Sequence, residues 1–147
     1  MTQYEKSIKH IDLVRHHIVS CVHNLHARLM AHDASKLLEP ERSAREESYS
    51  LLEGIPFGTD EYFSILHTRL GPVAQYHYQH NTHHPEHYHN GILGMTLFDL
   101  IEMLCDLRAK CDEKKLQTID LDTNKRIYDI PDAVYEILLN TVKEMNF

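Results

Sequence analysis

Apolar residues recur at steps of three and four near the start of the chain: Ile8, Ile11, Val14, Ile18, Cys21, Val22 and Leu25. That is the pattern of a helix with one face turned to a core. A single helix from there to Lys36 would be too long for a domain of this size. A break is therefore expected near His23-Asn24, with Asn24 capping a second helix that ends at about His32-Asp33. Pro40 suits the first turn of a third helix running towards Gly54, and Gly54-Ile55-Pro56-Phe57-Gly58 reads as a loop. A fourth helical region covers about Asp60 to His80, kinked or interrupted at Gly71-Pro72. Residues 81–95 lack a clean period and carry Pro85, Gly91 and Gly94, so they form an irregular segment. Thr96-Leu97-Phe98-Asp99 has the form of a capping box that opens a helix to about Glu113. Pro131 starts the last helix, which ends near Met145. These elements predict an all-α fold, a compact bundle of about six helices.

A chain of 147 residues has room for one modest core, so a single domain over 1–147 is expected to contain any site. No stretch approaches the roughly 20 apolar residues that span a bilayer. Met1-Thr2-Gln3-Tyr4-Glu5-Lys6 has no basic segment followed by an apolar one, which predicts a cytoplasmic protein. Cys21, Cys105 and Cys111 show no Cys-x-x-Cys spacing; they are expected to be small, mostly buried hydrophobes rather than disulfides or thiolate zinc ligands. The net charge of −7 opposes binding of long nucleic acids, whose affinity comes from lysine and arginine. An anionic substrate would need bound cations to offset that charge.

Three features carry candidate chemistry. His77, His80, His83, His84, His87 and His89 crowd into a short stretch, and neutral imidazole is a common ligand for zinc, iron, nickel and manganese. His77, His80 and His84 have spacings that share a helix face; a polar surface loop would explain the same composition. His32-Asp33 is a doublet at an expected helix end, where a turning backbone would let both side chains approach one ion, although a histidine with a capping aspartate is the ordinary reading. Asp99, Glu102 and Asp106 form one acidic stripe. Such a stripe repels itself unless a cation lies opposite, or is simply a solvated face.

Taken in order, the chain gives a helix histidine, a His-Asp doublet, a histidine cluster and a late helical aspartate. In this it resembles the HD superfamily of metal-dependent phosphohydrolases. His10 with Val14 is similar to that superfamily's first-helix histidine and its buried partner, His32-Asp33 to its doublet, and Asp106 or Asp99 to its closing aspartate. The chain is also similar to a small, largely phage and bacterial HD-type family through His32-Asp33-Ala34-Ser35-Lys36, Asn81-Thr82-His83-His84-Pro85-Glu86-His87 and Glu102-Met103-Leu104-Cys105-Asp106. The resemblance implies an HD-like helical bundle, in the host cytoplasm if phage-encoded. It also implies one or two divalent transition ions (manganese, iron, cobalt, nickel or zinc) on His10, His32, Asp33 and Asp106, with His84 and His77 or His83 completing a second site. The pattern departs at Lys36, which stands where nucleotidase members carry an acid. Lys36 would hold a substrate phosphate but could not act as a general base, leaving that role to Glu39, Glu41 or a histidine. His10 to His32 is also a short spacing, so His17 competes as first ligand.

The expected function is hydrolysis of a nucleotide or other small phosphoester, with Lys36 neutralising the phosphate and Glu86 or Glu102 orienting imidazoles. A di-iron oxygenase of the HD type and a non-catalytic, metal-containing binder of a nucleotide or host protein are the alternatives. The expected partner is a small phosphorylated substrate, with no long nucleic acid and no membrane; self-association stays open.

Overall fold

The computed structural model describes residues 1–55, 59–65, 68 and 71–147, with the side chains of Tyr49, Tyr62 and Phe63 left out of that description. Every α-helix or shorter regular element among the described residues is helical, with no strand, so the chain is all-α. None of its described helices is long and apolar enough to cross a membrane. Where one domain is expected, the chain divides into two units, Met1–His32 and Asp33–Phe147, and the division falls inside the His-Asp doublet.

The first unit is one helix, α1, Gln3–Ala31, of 29 residues and about 43 Å at 1.5 Å per residue. Thr2 and Glu5 close a reciprocal capping box at its start: Thr2 Oγ1 accepts from Glu5 N at 3.2 Å, and Thr2 N donates to Glu5 Oε2 at 2.6 Å. The expected break at His23-Asn24 does not occur. No glycine or proline lies within the helix, and Asn24 Oδ1 accepts from Arg28 Nε at 3.1 Å instead of capping. Nor is the apolar stripe buried: no residue of α1 is, and Ile18 is 57% exposed. A lone helix has nothing within its own unit to bury a stripe against. Cys21 on it is exposed.

The second unit opens with Asp33 in the left-handed region, φ 53° and ψ 19°, a conformation aspartate tolerates better than most residues. It caps a 3₁₀ turn, Ala34–Leu37. Then come α2, Glu41–Leu52; α3, Asp60–Ile65; and α4, Gly71–His80. Residues 56–58 of the expected loop and 66, 67, 69 and 70 of the expected fourth helical region lie outside the described residues. Gly71-Pro72 begins a helix, with proline in its first turn where it lacks no needed donor. Two 3₁₀ turns, Pro85–His87 and Gly91–Gly94, punctuate the irregular segment.

Helix α5, Leu97–Glu113, starts at the capping box: Thr96 Oγ1 accepts from Asp99 N, and Asp99 Oδ2 accepts from Thr96 N at 2.7 Å. Helix α6, Leu121–Tyr128, is absent from the sequence-based expectation, which left 114–130 without an element. Its cap is Asp120, whose Oδ1 accepts from Thr123 N at 2.9 Å. Helix α7, Asp132–Met145, follows Pro131. Tyr135 Oη donates to Asp122 Oδ1 and Lys125 Nζ to Asp132 Oδ1, each at 2.6 Å, tying α6 to α7.

The core of this unit gathers Ile92, Met103, Leu104, Cys111, Ile119, Leu121, Ile130, Leu138 and Val142, from the irregular segment and α5 to α7. Cys111 is buried as expected of a small hydrophobe, whereas Cys105 is exposed. At the other end, α2 packs on the Ala34–Leu37 turn and on α4. Segment 81–95 thus leaves α4 and returns to the core through Ile92, carrying the histidines between these two regions.

Candidate metal centre

Four side chains of the second unit bring ligand atoms within 4.8 Å of one another: Asp33, His77, His83 and His84. Asp33 arrives from the left-handed cap, His77 from α4, and His83 and His84 from the turn after α4. His77 Nε2 lies 2.9 Å from His84 Nε2 and 3.3 Å from Asp33 Oδ1, and His83 Nε2 lies 3.6 Å from the same oxygen. Ligands about 2.0–2.1 Å from an ion stand about 3.3 Å apart in a tetrahedron and about 3.0 Å apart at right angles. The observed separations match those of a coordination sphere. Asp106 joins the margin of the group, with a carboxylate oxygen in range of Asp33 and His83.

The far side of each ring explains the orientation. His77 Nδ1 lies 3.0 Å from Glu41 Oε1, and His83 Nδ1 lies 3.2 Å from Glu102 Oε1. His77 Nδ1 also lies 3.1 Å from Asn81 Nδ2, so it is shared between an amide and a carboxylate, while Nε2 of both rings faces the cluster. Glu41 is 1% exposed, and the guanidinium of Arg45 approaches its Oε1 at 3.6 Å. Asn81, also buried, donates from Nδ2 to Ser35 Oγ and to the His77 carbonyl, each at 2.8 Å. These bonds hold α4 against the Ala34–Leu37 turn.

Burial, then the neighbouring His83 and His77, pushes the His84 imidazole down to about 3. Burial likewise lowers His77 below its ordinary value, against the opposing pull of Asp33 and Glu41. Both rings are neutral at physiological pH, which is the form that binds metal.

The other candidate residues fall as follows. His10 and His17 are exposed on α1, and His32 is its C-cap; all three belong to the first unit. Lys36 Nζ pairs closely with Asp33 Oδ2, and Lys110 Nζ lies 2.5 Å from Asp106 Oδ2. Glu86 is exposed and lines a groove of about 550 Å³ with Gln75, Tyr78, Gln79 and Tyr88. It does not back an imidazole there. Asp99 lies outside the ligand cluster: it is fully buried, and its Oδ2 accepts from Thr96 N, Thr96 Oγ1 and Tyr88 Oη. His80 also leaves the expected trio, because its Nδ1 donates to the Tyr76 carbonyl at 2.8 Å on the exposed side of α4. His84 meets His77 through the turn at 81–84, since α4 ends at His80.

Glu41, Asn81 and Ser35 are the functional neighbours that sequence reasoning did not place around the histidines. Glu39, the other acid considered as a base, is turned outward to Arg42 and Ser43. No curated protein and no solved structure matches the chain. One family model does, over residues 1–144, and its description is a family of unknown function. The chain therefore belongs to that family, DUF5662.

Proposed function

We propose that this protein is a metal-dependent phosphohydrolase of the HD type, acting on a nucleotide or another small phosphoester. The observation that carries the reading is the convergence of His77 Nε2, His84 Nε2, His83 Nε2 and Asp33 Oδ1, with a buried carboxylate, Glu41, behind His77 and a half-buried one, Glu102, behind His83. Three imidazoles and one carboxylate suit manganese, iron, cobalt, nickel or zinc better than calcium.

A divalent ion at that point would supply Lewis acidity and a water acidified to near neutral pH. The chain's own residues would do the remainder. Glu41 and Glu102 hold two rings in register, and Lys36 offers an ammonium group to the phosphate. Glu41 is not the base that moves the water proton, since it lies behind His77 and is shut off from solvent. The groove beside Tyr78, whose ring centroid is 5.0 Å from that of His84, is of a size for a small organic group.

The test has two steps. Elemental analysis of untagged protein, with reconstitution, should find at least one transition ion; under about a tenth of an equivalent, with no uptake, removes the metal reading. Phosphate release is then followed over mono-, di- and triphosphates, cyclic dinucleotides and aryl phosphates with manganese or cobalt. Full metallation without turnover on any ester, or oxygen uptake with an organic substrate, rejects the hydrolase reading.

A further inference from the structure

Lysines at the site are few and specifically placed. Asp33 divides its oxygens: Oδ1 faces His77 and His83, while Oδ2 holds Lys36 Nζ. Asp106, close to Asp33 and His83, holds Lys110 Nζ through Oδ2. In both pairs the carboxylate is the more buried partner: the aspartate side chains are 15% and 11% exposed, against 31% and 49% for the lysines. Each acid thus presents an ammonium group at the solvent edge of one carboxylate pair. The nearby arginines are engaged elsewhere: Arg45 faces Glu41, and Arg108 pairs with Asp112 and donates to the Gln117 carbonyl at 2.6 Å.

Resting on the metal reading above, we propose that Lys36 and Lys110 together form an oxyanion clamp for a tetrahedral dianion, the phosphate group of a monoester or free phosphate. In a chain of net charge −7, two cations anchored by site carboxylates localise positive charge where an anion approaching the ion must pass. Each ammonium has three N–H donors and its aspartate takes one, so the pair offers donors to the terminal oxygens of a monoester phosphate while a bound ion would supply the net positive charge. Lys110 is the new member: it lies one helical turn after Asp106 on α5, at a position where an (i, i+4) pair would otherwise be only a surface contact.

The clamp has a signature that separates it from a structural ion pair. A lysine beside a metal repels the ion, so Lys110→Met should bind manganese as tightly as the unaltered protein or a few-fold more tightly. A lysine needed only to hold Asp106 in place would, when removed, loosen the ligand and weaken manganese binding. The experiment is calorimetric titration, first with manganese alone, then of the manganese-loaded protein with inorganic phosphate and with phenyl phosphate. Lys110→Arg controls for folding and should retain most of the phosphate affinity.

The clamp requires about a tenfold loss of phosphate affinity in Lys110→Met, as for one charge-assisted hydrogen bond, with manganese affinity undiminished. Equal losses for inorganic phosphate and phenyl phosphate place recognition on the dianion; a loss for phenyl phosphate alone makes the ester the ligand. Unchanged affinity for both, or weakened manganese binding, overturns the clamp while leaving the metal reading intact. Failure of the unaltered protein to take up manganese or another transition ion overturns the metal reading and the clamp together.

Discussion

Replacing Glu41 by glutamine tests whether the buried carboxylate positions His77. Glutamine keeps the volume and one acceptor oxygen but removes the charge 3.0 Å from His77 Nδ1. Across the ring, an ion on Nε2 would lie about 7 Å from that carboxylate. At an effective dielectric constant of about 20–40, a dication and a unit anion at that separation attract by about 2–5 kcal/mol, an upper bound before the protein relaxes. Outer partners of ligating histidines typically contribute about 10–100-fold in metal affinity, about 1.4–2.7 kcal/mol, at and below the low end of that bound. Zinc affinity of Glu41→Gln, read by competition with a chromogenic chelator, should therefore fall at least about tenfold. Thermal stability should change little, because a buried charge is removed together with its interaction and Arg45 keeps access to solvent. Unaltered zinc affinity with a large loss of stability would refute the reasoning and make Glu41 an anchor for Arg45 alone.

Asp33→Asn should lower metal affinity at least about tenfold by circular dichroism-verified folded protein, since asparagine also accepts the left-handed backbone; retention of full affinity removes Asp33 from the ligand set. Tyr128 gives a pH test away from the imidazoles. Burial, followed by Glu86, Tyr78 and Asp106, pushes its phenol up to about 12. The folded state thus keeps a proton that the unfolded state releases above about pH 10, so stability holds below pH 10 and falls as pH rises towards 12, by about 2–3 kcal/mol. Urea midpoints for the unaltered protein and Tyr128→Phe should diverge in slope over that window, and parallel curves would contradict it. Gly94→Ala should cost about 1–3 kcal/mol, because a methyl group there would sit 2.4 Å from Asn90 Oδ1 and 2.7 Å from Tyr88 Cβ; an unchanged urea midpoint would show that this contact relaxes freely.

Helix α5 was legible because its start is written locally, in Thr96 and Asp99, as was the end of α7 near Met145. The continuity of α1 was not, because its apolar stripe was read as a demand for a core within a small domain, whereas none of its residues is buried and no breaker interrupts it. Helix α6 is eight residues long, too short to show a period, and its Asp120 cap resembles any loop aspartate. At the site, His77, His83 and His84 stand close in sequence, so their crowding was visible. Glu41 was not visible as their neighbour: by sequence it is a first-turn acid suited to a helix dipole, and only the packing of α2 on α4 brings it to His77. The acidic stripe was misjudged as a unit because its three members have three fates: Asp99 caps, Glu102 backs His83, and Asp106 holds Lys110.

The double use of Asp99 has a kinetic consequence. The same oxygen that closes the first turn of α5 also receives the Tyr88 hydroxyl, at 2.9 Å, from the histidine-bearing segment. That segment has no ladder of its own beyond two short turns, so its persistence is borrowed from a helix that packs into the core. Amide hydrogens at 81–95 are thus expected to exchange with deuterium in the same slow cooperative unit as the start of α5, opening only when that helix opens. Breakage of the Tyr88–Asp99 junction, as in Tyr88→Phe, should speed exchange around His83 and His84 before it is felt in α6 or α7.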